Sequence, residues 1–374
     1  MAAIAWRSSC SMRCMRSVVV GLVLGLSVFG VGCGGSSIDS GGGNAGENGG
    51  LGATEPSADH TQIYGLKQGL GQLVAVGERS QDGRVTGVLL TSTDANVWQE
   101  RETVPDAALR SIAVSPERMV AVGDLDAQGM PVLTSSDGLT WQTTHIPTDH
   151  AIPSASHVAY GNGLFMATTS AGAWSSGNAT EWAASDSPPD GLVGIVFGGG
   201  RFVLWSKRPG RGDRGPNVAS SDGISPWQGG NLSPAIGDGF YSFTIQSMRF
   251  TNGKFQATGR VSCCYGELPG NDSWEVKEST DGVLWTTTAT GLAADPPYVL
   301  LESASRCLGI GNQRSGAPRV LSGPNCEALE RASATYDFIP QDVLTFDQKY
   351  VFGGIDGIVS TVDGVSWERA RLEQ

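Results

Sequence analysis

The sequence predicts an all-β fold, a seven-bladed β-propeller of four-stranded antiparallel blades, on three observations. One motif, Ser-x-Asp-Gly-x-x-Trp, recurs at intervals of 38 to 58 residues, which matches the length of one four-stranded blade. A short apolar strand precedes the motif. The chain contains 53 glycines and 10 tryptophans while only 17% of its residues are charged, a composition typical of short strands joined by tight turns.

Seven copies of the motif can be aligned along the chain. Four copies are complete or nearly so and two are imperfect. The remaining copy, the sixth along the chain, is recognised because residues 320–329 match residues 132–141 without a gap. Each copy supplies an aspartate or asparagine followed by a tryptophan or the leucine that replaces it: Asp94 and Trp98, Asp137 and Trp141, Asn178 and Trp182, Asp222 and Trp227, Asp281 and Trp285, Asn325 and Leu329, and Asp363 and Trp367.

The motif has a structural explanation as the turn between the third and fourth strands of a blade. The aspartate accepts backbone N–H bonds inside the turn, the glycine adopts a positive φ, and the hydroxyl residue caps nearby amides. The tryptophan then opens the fourth strand and packs between neighbouring blades. Because all the turns lie at the end opposite the usual binding face, we expect these residues to be structural and not catalytic.

Each repeat reads as four strands from one continuous stretch of sequence. In the second repeat these are residues 111–114, 119–123, 131–135 and 140–144, and the second strand ends in glycine. The first repeat begins with its first strand, and the last repeat ends after Trp367. We therefore expect the ring to close by packing of blade seven against blade one, without a shared strand.

The repeated motif resembles the Asp-box, or BNR repeat, of propeller families that include sialidases, sortilin-like receptors and photosystem assembly factors. The resemblance covers roughly residues 61–368 and implies a sialidase-like propeller fold. Because the box occurs in enzymes and in non-enzymes, it implies little about function.

Residues 1–32 have the features of a signal peptide. Three arginines precede residues 17–32, an uncharged stretch too short to span a bilayer comfortably. The stretch ends immediately before Cys33 in a segment that resembles the bacterial lipoprotein lipobox, although Gly30 stands where leucine is usual. We expect acylation of Cys33, with ordinary cleavage nearby as the alternative.

Residues 33–58 predict a flexible tether, because they contain almost no apolar side chains to bury. The propeller then occupies residues 59–374. The protein is expected to be exported to the cell envelope and to touch the membrane only through its lipid. The residue directly after Cys33 is not an aspartate, which in a Gram-negative host resembles the pattern of outer-membrane lipoproteins.

The charge balance argues against nucleic acid as a partner. The chain has 37 acidic and 25 basic residues, a formal net charge of -12, and such a surface repels phosphate backbones. The same charge is explained by solubility alone. We expect a monomer that needs no cofactor.

Four cysteines remain beyond Cys33. Cys307 begins a second strand and Cys326 lies in the turn after the third strand, positions that meet in an antiparallel pair, so we expect a disulfide between them. Closing that loop of about 20 residues would stabilise the fold by roughly 3 kcal/mol. Cys263 and Cys264 are left as a vicinal disulfide or as two thiols. No metal site is expected there, because no histidine lies nearby and the CxxC spacing is missing.

Two long connections between second and third strands carry the residues that we expect to bind a partner. They are residues 206–217 of blade four and 261–274 of blade five, neighbours on the face where propellers commonly bind. Alternatively, both are solvated insertions without a partner. The basic, aromatic and acidic side chains of the patch, which suit a glycan or a protein, are Lys207, Arg208, Arg211, Arg214, Tyr265, Glu267, Asp272 and Trp274.

No catalytic residue is assigned. A sialidase needs an arginine triad, a tyrosine paired with a glutamate and an acid/base aspartate, and no Tyr/Glu pair could be assigned among the 7 tyrosines. His60, His145, His150 and His157 indicate neither a Ser/His/Asp set nor a metal site. The sequence thus predicts a surface-anchored lipoprotein with a non-catalytic propeller, a binding or assembly scaffold for protein or glycan. A divergent sialidase-like, glycan-active hydrolase is the alternative, and a purely structural envelope protein is not separated from the first hypothesis.

Overall fold

The computed structural model describes residues 60–147, 156–169, 172–185, 194–206, 218–230, 232, 241–263, 273–292, 297–302, 307–312, 318–324, 330–331 and 338–374. The expected signal peptide, Cys33 and the tether lie outside the described residues. Residues Pro56–Gln374 form one compact unit. In the described ranges all regular secondary structure is β-strand, and a search there for a helix able to cross a bilayer found none.

The strands are numbered in chain order. The first sixteen are β1 His60–Gly69, β2 Gln72–Gln81, β3 Arg84–Ser92, β4 Val97–Pro105, β5 Leu109–Val114, β6 Met119–Gly123, β7 Met130–Ser135, β8 Gln142–Ile146, β9 His157–Gly161, β10 Leu164–Thr169, β11 Gly172–Ser176, β12 Ala183–Ala184, β13 Gly194–Gly198, β14 Arg201–Trp205, β15 Val218–Ser221 and β16 Gln228–Gly230. The others are β17 Tyr241–Thr251, β18 Lys254–Cys263, β19 Ser273–Ser279, β20 Thr286–Leu292, β21 Pro297–Glu302, β22 Cys307–Asn312, β23 Pro318–Gly323, β24 Glu330–Arg331, β25 Ile339–Phe346, β26 Lys349–Ile355, β27 Gly357–Thr361, β28 Glu368–Arg369 and β29 Arg371–Glu373.

Consecutive described strands pair antiparallel in runs of four, which we call units 1 to 7: β1–β4, β5–β8, β9–β12, β13–β16, β17–β20, β21–β24 and β25–β28. Units 2 to 6 are separate four-stranded sheets, whereas units 1 and 7 join with β29 into one nine-stranded sheet. The predicted all-β fold of four-stranded antiparallel blades is therefore confirmed. Because units 1 and 7 share a sheet, the count of seven blades stays a prediction.

The first strands of the units lie next to one another along the inner side of the fold. β1 contacts β5, β5 contacts β9, β9 contacts β13, β13 contacts β17, and β17 contacts β21. β23 contacts β25, and β25 contacts β1, so the last unit meets the first. Buried hydrophobic side chains fill the spaces between adjacent units. This is how the blades of a propeller pack.

The ring is closed by strand pairing as well as by packing. β1 pairs with β26 through Gln62 and Ile355, and β29 lies parallel to β4, the outer strand of unit 1. The expectation that units 7 and 1 share no strand is therefore wrong. The reason is that β28 is only two residues long, so the chain continues past unit 7 and forms β29 beside unit 1. The backbone N–H of Arg371 then donates to the carbonyl of Asn96 in unit 1 at 2.8 Å.

The aspartate of each repeated turn bonds the backbone that follows it. Asp137 Oδ1 accepts hydrogen bonds from the N–H groups of Leu139 at 2.8 Å and Thr140 at 2.7 Å. The hydroxyl of Ser135 accepts a further bond from the N–H of Gly138 at 2.8 Å. Asn325 and Leu329 of the sixth copy lie outside the described residues. Pairs of bonds equivalent to those of Asp137 occur at Asp94, Asn178, Asp222, Asp281 and Asp363.

Tryptophans of the repeated turns pack against the strands between units. Trp141 of unit 2 packs into a cluster with Val74 and Leu89 of unit 1. Trp98 of unit 1 is fully buried in a cluster with Val351 of unit 7, so it takes part in closing the ring. The remaining described members pack as follows: Trp182 against units 2 and 3, Trp227 against its own unit 4, Trp285 against units 4 and 5, and Trp367 against units 6 and 7.

Acid is expected to weaken the repeated turns. The backbone N–H groups of Ser366 and Val365 lower the pKa of Asp363 to about 2. Those of Thr140 and Leu139 likewise hold the pKa of Asp137 well below its usual range. An aspartate with a lowered folded-state pKa stabilises the fold fully above its unfolded pKa of about 3.9, and this contribution is lost as the pH falls to about 2.

Replacing Asp137 and Asp363 by asparagine tests this pH dependence. Asparagine keeps the acceptor oxygen, as Asn178 does in its own turn, but does not titrate. We expect the urea midpoint of the double variant to fall less than that of the wild type between about pH 5 and about pH 2. Asp347→Asn, in an exposed turn, is the matched control and should follow the wild type. Equal acid sensitivity of the double variant and the wild type would contradict the prediction.

Candidate binding site at the start of the inner strands

Most of the predicted binding patch lies outside the described residues, so its role stays a prediction. Of Trp274 the structure describes the backbone, in β19, and of Cys263 the backbone, at the end of β18. Cys307 is buried at the start of β22. The predicted site residues outside the described part of the chain are Lys207, Arg208, Arg211, Arg214, Tyr265, Glu267, Asp272, Cys264 and Cys326.

The two long connections leave the sheets at the end where the inner strands begin. β14 ends at Trp205 and β15 begins at Val218, whereas β18 ends at Cys263 and β19 begins at Ser273. In an antiparallel unit, the end of the second strand and the start of the third lie beside the start of the first. The described side chains at this end of the units are therefore the ones relevant to binding.

Within the described ranges, the inner strands of five units carry one extra residue near their start. In each of them the register with the second strand shifts by one residue, which is a β-bulge. The residue paired just before the bulge is opposite a glycine in all five units. The extra residues and these glycines are Tyr64 with Gly77, Arg110 with Gly123, Gln246 with Gly259, Tyr298 with Gly311, and Gln341 with Gly354.

The bulge explains why the second strand ends in glycine. A Cβ atom at Gly77 would lie 2.0 Å from the carbonyl oxygen of Gln62, two residues before the bulge. At Gly354 the equivalent distance, to Ile339 O, is 2.1 Å. In units 3 and 4 the described pairing of the first two strands ends with Thr168 opposite His157 and Trp205 opposite Gly194, one pair before the point where the other units bulge. Thr169 and Ser206 stand at the position that glycine has elsewhere.

In units 2 and 7 the residue after the bulge connects one unit to the next. The hydroxyl of Ser111 in unit 2 accepts a hydrogen bond from the N–H of Val158 in unit 3 at 3.2 Å. Asp342 Oδ2 in unit 7 accepts one from the N–H of Leu66 in unit 1 at 2.8 Å. The bulge therefore both displaces one side chain and directs the following one toward the neighbouring inner strand.

Two bulge residues from neighbouring units, Tyr64 and Arg110, are in contact. The guanidinium carbon of Arg110 is 4.2 Å from the centre of the Tyr64 ring, a cation–π arrangement. Its Nε and Nη2 donate to Asp124 Oδ2 at 2.8 and 2.6 Å, and Nη2 is 3.5 Å from Glu78 Oε2. Glu78 and Asp124 each follow a glycine that stands opposite a bulge. We call Tyr64, Glu78, Arg110 and Asp124 the mouth cluster.

The electrostatics of the mouth cluster keep its tyrosine protonated and its arginine charged. Burial raises the pKa of Tyr64 to about 12, an increase that Arg110 opposes and Glu78 reinforces. Burial disfavours the charged form of Arg110, but the hydrogen bonds and charge of Asp124 outweigh this effect and raise its pKa. The cluster therefore presents a phenol hydroxyl, a guanidinium and two acidic side chains in one place.

Three polar oxygens at this end have no hydrogen-bond partner among the described residues. They are Asp124 Oδ1, in the mouth cluster, Oε1 of Gln246, the bulge residue of unit 5, and Oγ of Ser156, which immediately precedes β9. Buried acceptors normally have a donor. These oxygens therefore mark positions where the inner wall of the fold can accept further hydrogen bonds.

The histidines do not form a site of their own in the described part of the chain. His145 Nε2 is 2.9 Å from Asp126 Oδ2, so both side chains are engaged within unit 2. His60 begins β1, His157 begins β9, and His150 lies outside the described residues. Among the residues that the structure describes, no group of three or more His, Cys, Asp or Glu side chains could hold a metal ion.

The mouth cluster was not predicted from the sequence. No Tyr/Glu pair was expected, although Tyr64 and Glu78 interact with each other and with Arg110. One signal was present: units 1 and 2 both have a glycine at the end of the second strand followed by an acidic residue, Glu78 or Asp124. Tyr64 and Arg110 could have been aligned as the matching positions of the first strands only if the bulge had been recognised.

Comparisons with known proteins establish the fold and no family. No protein-family description matches the chain, and no curated protein matches it either. Among solved structures, the BP39L lectin from Burkholderia pseudomallei is 13% identical, with 83% of this chain and 98% of the lectin covered at a TM-score of 0.53. The WD40 β-propeller domain of Doa1 is 12% identical over 83% of this chain and 97% of that domain, at a TM-score of 0.47. The likeness to the lectin concerns the fold alone, and at such identities it carries no activity across.

The glycines opposite the bulges are expected to resist substitution. In Gly77→Ala the new methyl group would meet the Gln62 carbonyl, so we expect a loss of roughly 1 to 3 kcal/mol in the free energy of unfolding. Gly177 has no atom within 4 Å of its Cβ position, and Gly177→Ala should change stability by less than about 0.5 kcal/mol. Urea denaturation measures both variants. Similar midpoints for the two would show that the bulge does not require glycine.

Proposed function

We propose that this protein is an exported lipoprotein, acylated at Cys33 and tethered through residues 34–58, whose propeller is a non-catalytic binding scaffold. The arginine-containing leader and the small residues before Cys33 support export and lipidation. The location that follows is the cell envelope, at the outer membrane in a Gram-negative host. The acidic composition favours a partner other than nucleic acid.

A seven-bladed propeller of the Asp-box type is part of this proposal. Seven units of four strands within the described residues, and the contact between units 7 and 1, support the blade count. In six of the repeated turns an aspartate or asparagine binds two backbone N–H groups, which supports the Asp-box assignment. A disulfide between Cys307 and Cys326 is proposed within unit 6. The pairing of Cys307 with Gly323, three residues before Cys326, supports it, and peptide mapping without reduction tests it.

The mouth cluster is the observation that supports a binding role most strongly. Binding sites typically combine aromatic surface with a few polar groups that converge on the ligand. Here the bulges bring a tyrosine, a guanidinium and two acidic side chains from two units together, with the Arg110 side chain 24% exposed. The connections that contain the predicted patch leave units 4 and 5 at the same end of the sheets. We propose that a glycan or protein partner binds at this end to a monomeric propeller.

The pair Tyr64 and Glu78 is the one observation that favours the alternative, a glycan-active hydrolase. A tyrosine nucleophile must lose its proton, and burial raises the pKa of Tyr64 to about 12, which opposes that loss. Arg110 is engaged by Asp124 and Glu78 of the protein itself, so it is poorly placed to bind a substrate carboxylate. For these reasons we place the non-catalytic scaffold first.

Binding measurements on point variants test the proposed function. The purified full-length protein is screened on a glycan array and by cross-linking in envelope extract, and the affinity of any ligand found is measured. Tyr64→Phe keeps the ring that Arg110 stacks on and removes only the hydroxyl, and Arg110→Gln removes the cation. We expect a loss of affinity of roughly fivefold or more in each, the loss of one hydrogen bond or charged contact.

The control is Lys254→Gln at the opposite end of unit 5, where Lys254 forms an exposed ion pair with Glu278 at 3.0 Å. It should bind like the wild type. The melting temperature of Tyr64→Phe should also match that of the wild type. This measurement distinguishes the loss of a contact with the ligand from a loss of folding. A ligand that binds all three variants equally would place the site elsewhere, and hydrolysis of an arrayed glycan would favour the alternative.

A further inference from the structure

Exposed apolar side chains are concentrated in the repeated turns, at one end of the units. Among the described residues six large hydrophobic side chains are exposed, and five of them belong to these turns. The sixth, Val85, lies near the start of β3, at the opposite end of unit 1. A set of exposed apolar side chains that gathers at one end indicates an interaction surface. We call the five the turn face; their exposed fractions are 82% for Ile224, 76% for Leu284, 60% for Val362, 54% for Val365 and 42% for Leu139.

The backbone of these turns can leave water at low cost. In unit 4, Asp222 Oδ1 accepts hydrogen bonds from the N–H groups of Ile224 at 2.9 Å and Ser225 at 2.6 Å. In unit 5, Asp281 Oδ1 accepts one from the N–H of Leu284 at 2.9 Å. A donor that is already bonded within the protein loses no partner when water is excluded. Each of these turns thus combines a protruding aliphatic side chain with backbone donors that are already paired.

Charge limits how deeply the turn face can enter an apolar medium. The N–H groups of Ser225 and Ile224 lower the pKa of Asp222, so its carboxylate is ionised near neutral pH. Asp137 and Asp363 are ionised for the same reason. An ionised carboxylate is costly to bury in hydrocarbon, whereas an aliphatic side chain is stabilised there. The boundary between the headgroups and the acyl chains of a bilayer accommodates both.

The chain before the propeller is long enough to let the turn face reach a bilayer. It enters β1 at His60, at the end opposite the turn face. β1 has 10 residues and spans about 33 Å, whereas residues 34–59 reach about 85 Å when extended. With Cys33 acylated, as in the proposed function on which this inference rests, the far end of the propeller can therefore turn to the membrane. The lipid also keeps the bilayer at a high effective concentration, so a few apolar contacts suffice.

We propose that the turn face docks on the surface of the membrane that holds the lipid of Cys33. Ile224 and Leu284, the most exposed of its residues, insert between the lipid headgroups, and the aspartates of the same turns stay at headgroup level. Because ionised aspartates accompany the inserted side chains, the turn face prefers zwitterionic to anionic lipids. Docking at this end directs the mouth cluster away from the membrane.

Flotation with lipid vesicles tests this docking in the absence of the lipid anchor. The mature chain, residues 33–374, carries Cys33→Ser so that it cannot be acylated, and it is mixed with phosphatidylcholine vesicles. We expect the protein to float with the vesicles, and binding to decrease at low salt when part of the lipid is replaced by phosphatidylglycerol. Adding Ile224→Ser and Leu284→Ser together should weaken binding by roughly tenfold or more, because two inserted side chains are lost.

The matched control is Val85→Ser, which removes the exposed apolar side chain at the opposite end and should leave binding unchanged. The melting temperatures of both variants should equal that of the unsubstituted mature chain, because the altered side chains are exposed. Equal binding by the two variants, absence of binding, or stronger binding to the anionic vesicles would overturn the proposal. So would a dimer, seen by light scattering without vesicles, that the paired Ile224 and Leu284 substitutions abolish, because the turn face would then bind a second copy. The mass of the protein isolated from its host tests acylation separately, so failure of the docking is distinguishable from failure of the proposed function.

Discussion

The close approach of a backbone carbonyl to a glycine, where an inner strand bulges, determines most of what is distinctive in this propeller. At Gly77 the space for a Cβ atom is taken by the carbonyl of Gln62. Glycine accordingly stands at this position in the five units that bulge. In units 1 and 2 the extra residues, Tyr64 and Arg110, are in contact with each other. One steric constraint thus produces the candidate site and the bonds between neighbouring inner strands.

The two ends of the units differ in what their side chains bind. At the end of the repeated turns, side chains connect units 3 and 4 and units 7 and 1: Asn162 binds two carbonyls of unit 4, and Lys349 binds Asn96 of unit 1. Asp137 accepts hydrogen bonds from the backbone of its own turn, as its equivalents do. At the other end, Asp124 and Gln246 have oxygens without a partner among the described residues, and Tyr64 is partly exposed. Hydrogen bonds between units thus occur at both ends, whereas the groups that suit a ligand lie where the inner strands begin.

What could be predicted from the sequence depended on how far apart the interacting residues are. The turn at Asp137 is made with residues up to three positions away, so its pattern is visible in one dimension and the all-β fold follows from its repetition. The pairing of Arg371 with Val97 joins β29, close to the end of the chain, to unit 1. No local sequence pattern indicates this pairing. The mouth cluster could not be predicted in the same way. The glycines at the ends of the second strands are visible in the sequence, but Tyr64 and Arg110 become equivalent only through the bulge, which depends on the register between strands.

The residues at the bulges differ from unit to unit, and this gives the inner wall a direction. Identical units would offer an incoming molecule equivalent rotational poses about the axis, and none would be preferred. Among the described bulges, the extra residue is tyrosine in units 1 and 6, arginine in unit 2 and glutamine in units 5 and 7. The contact between Tyr64 and Arg110 thus distinguishes one arc of the ring. A ligand that enters along the axis therefore encounters an orienting surface.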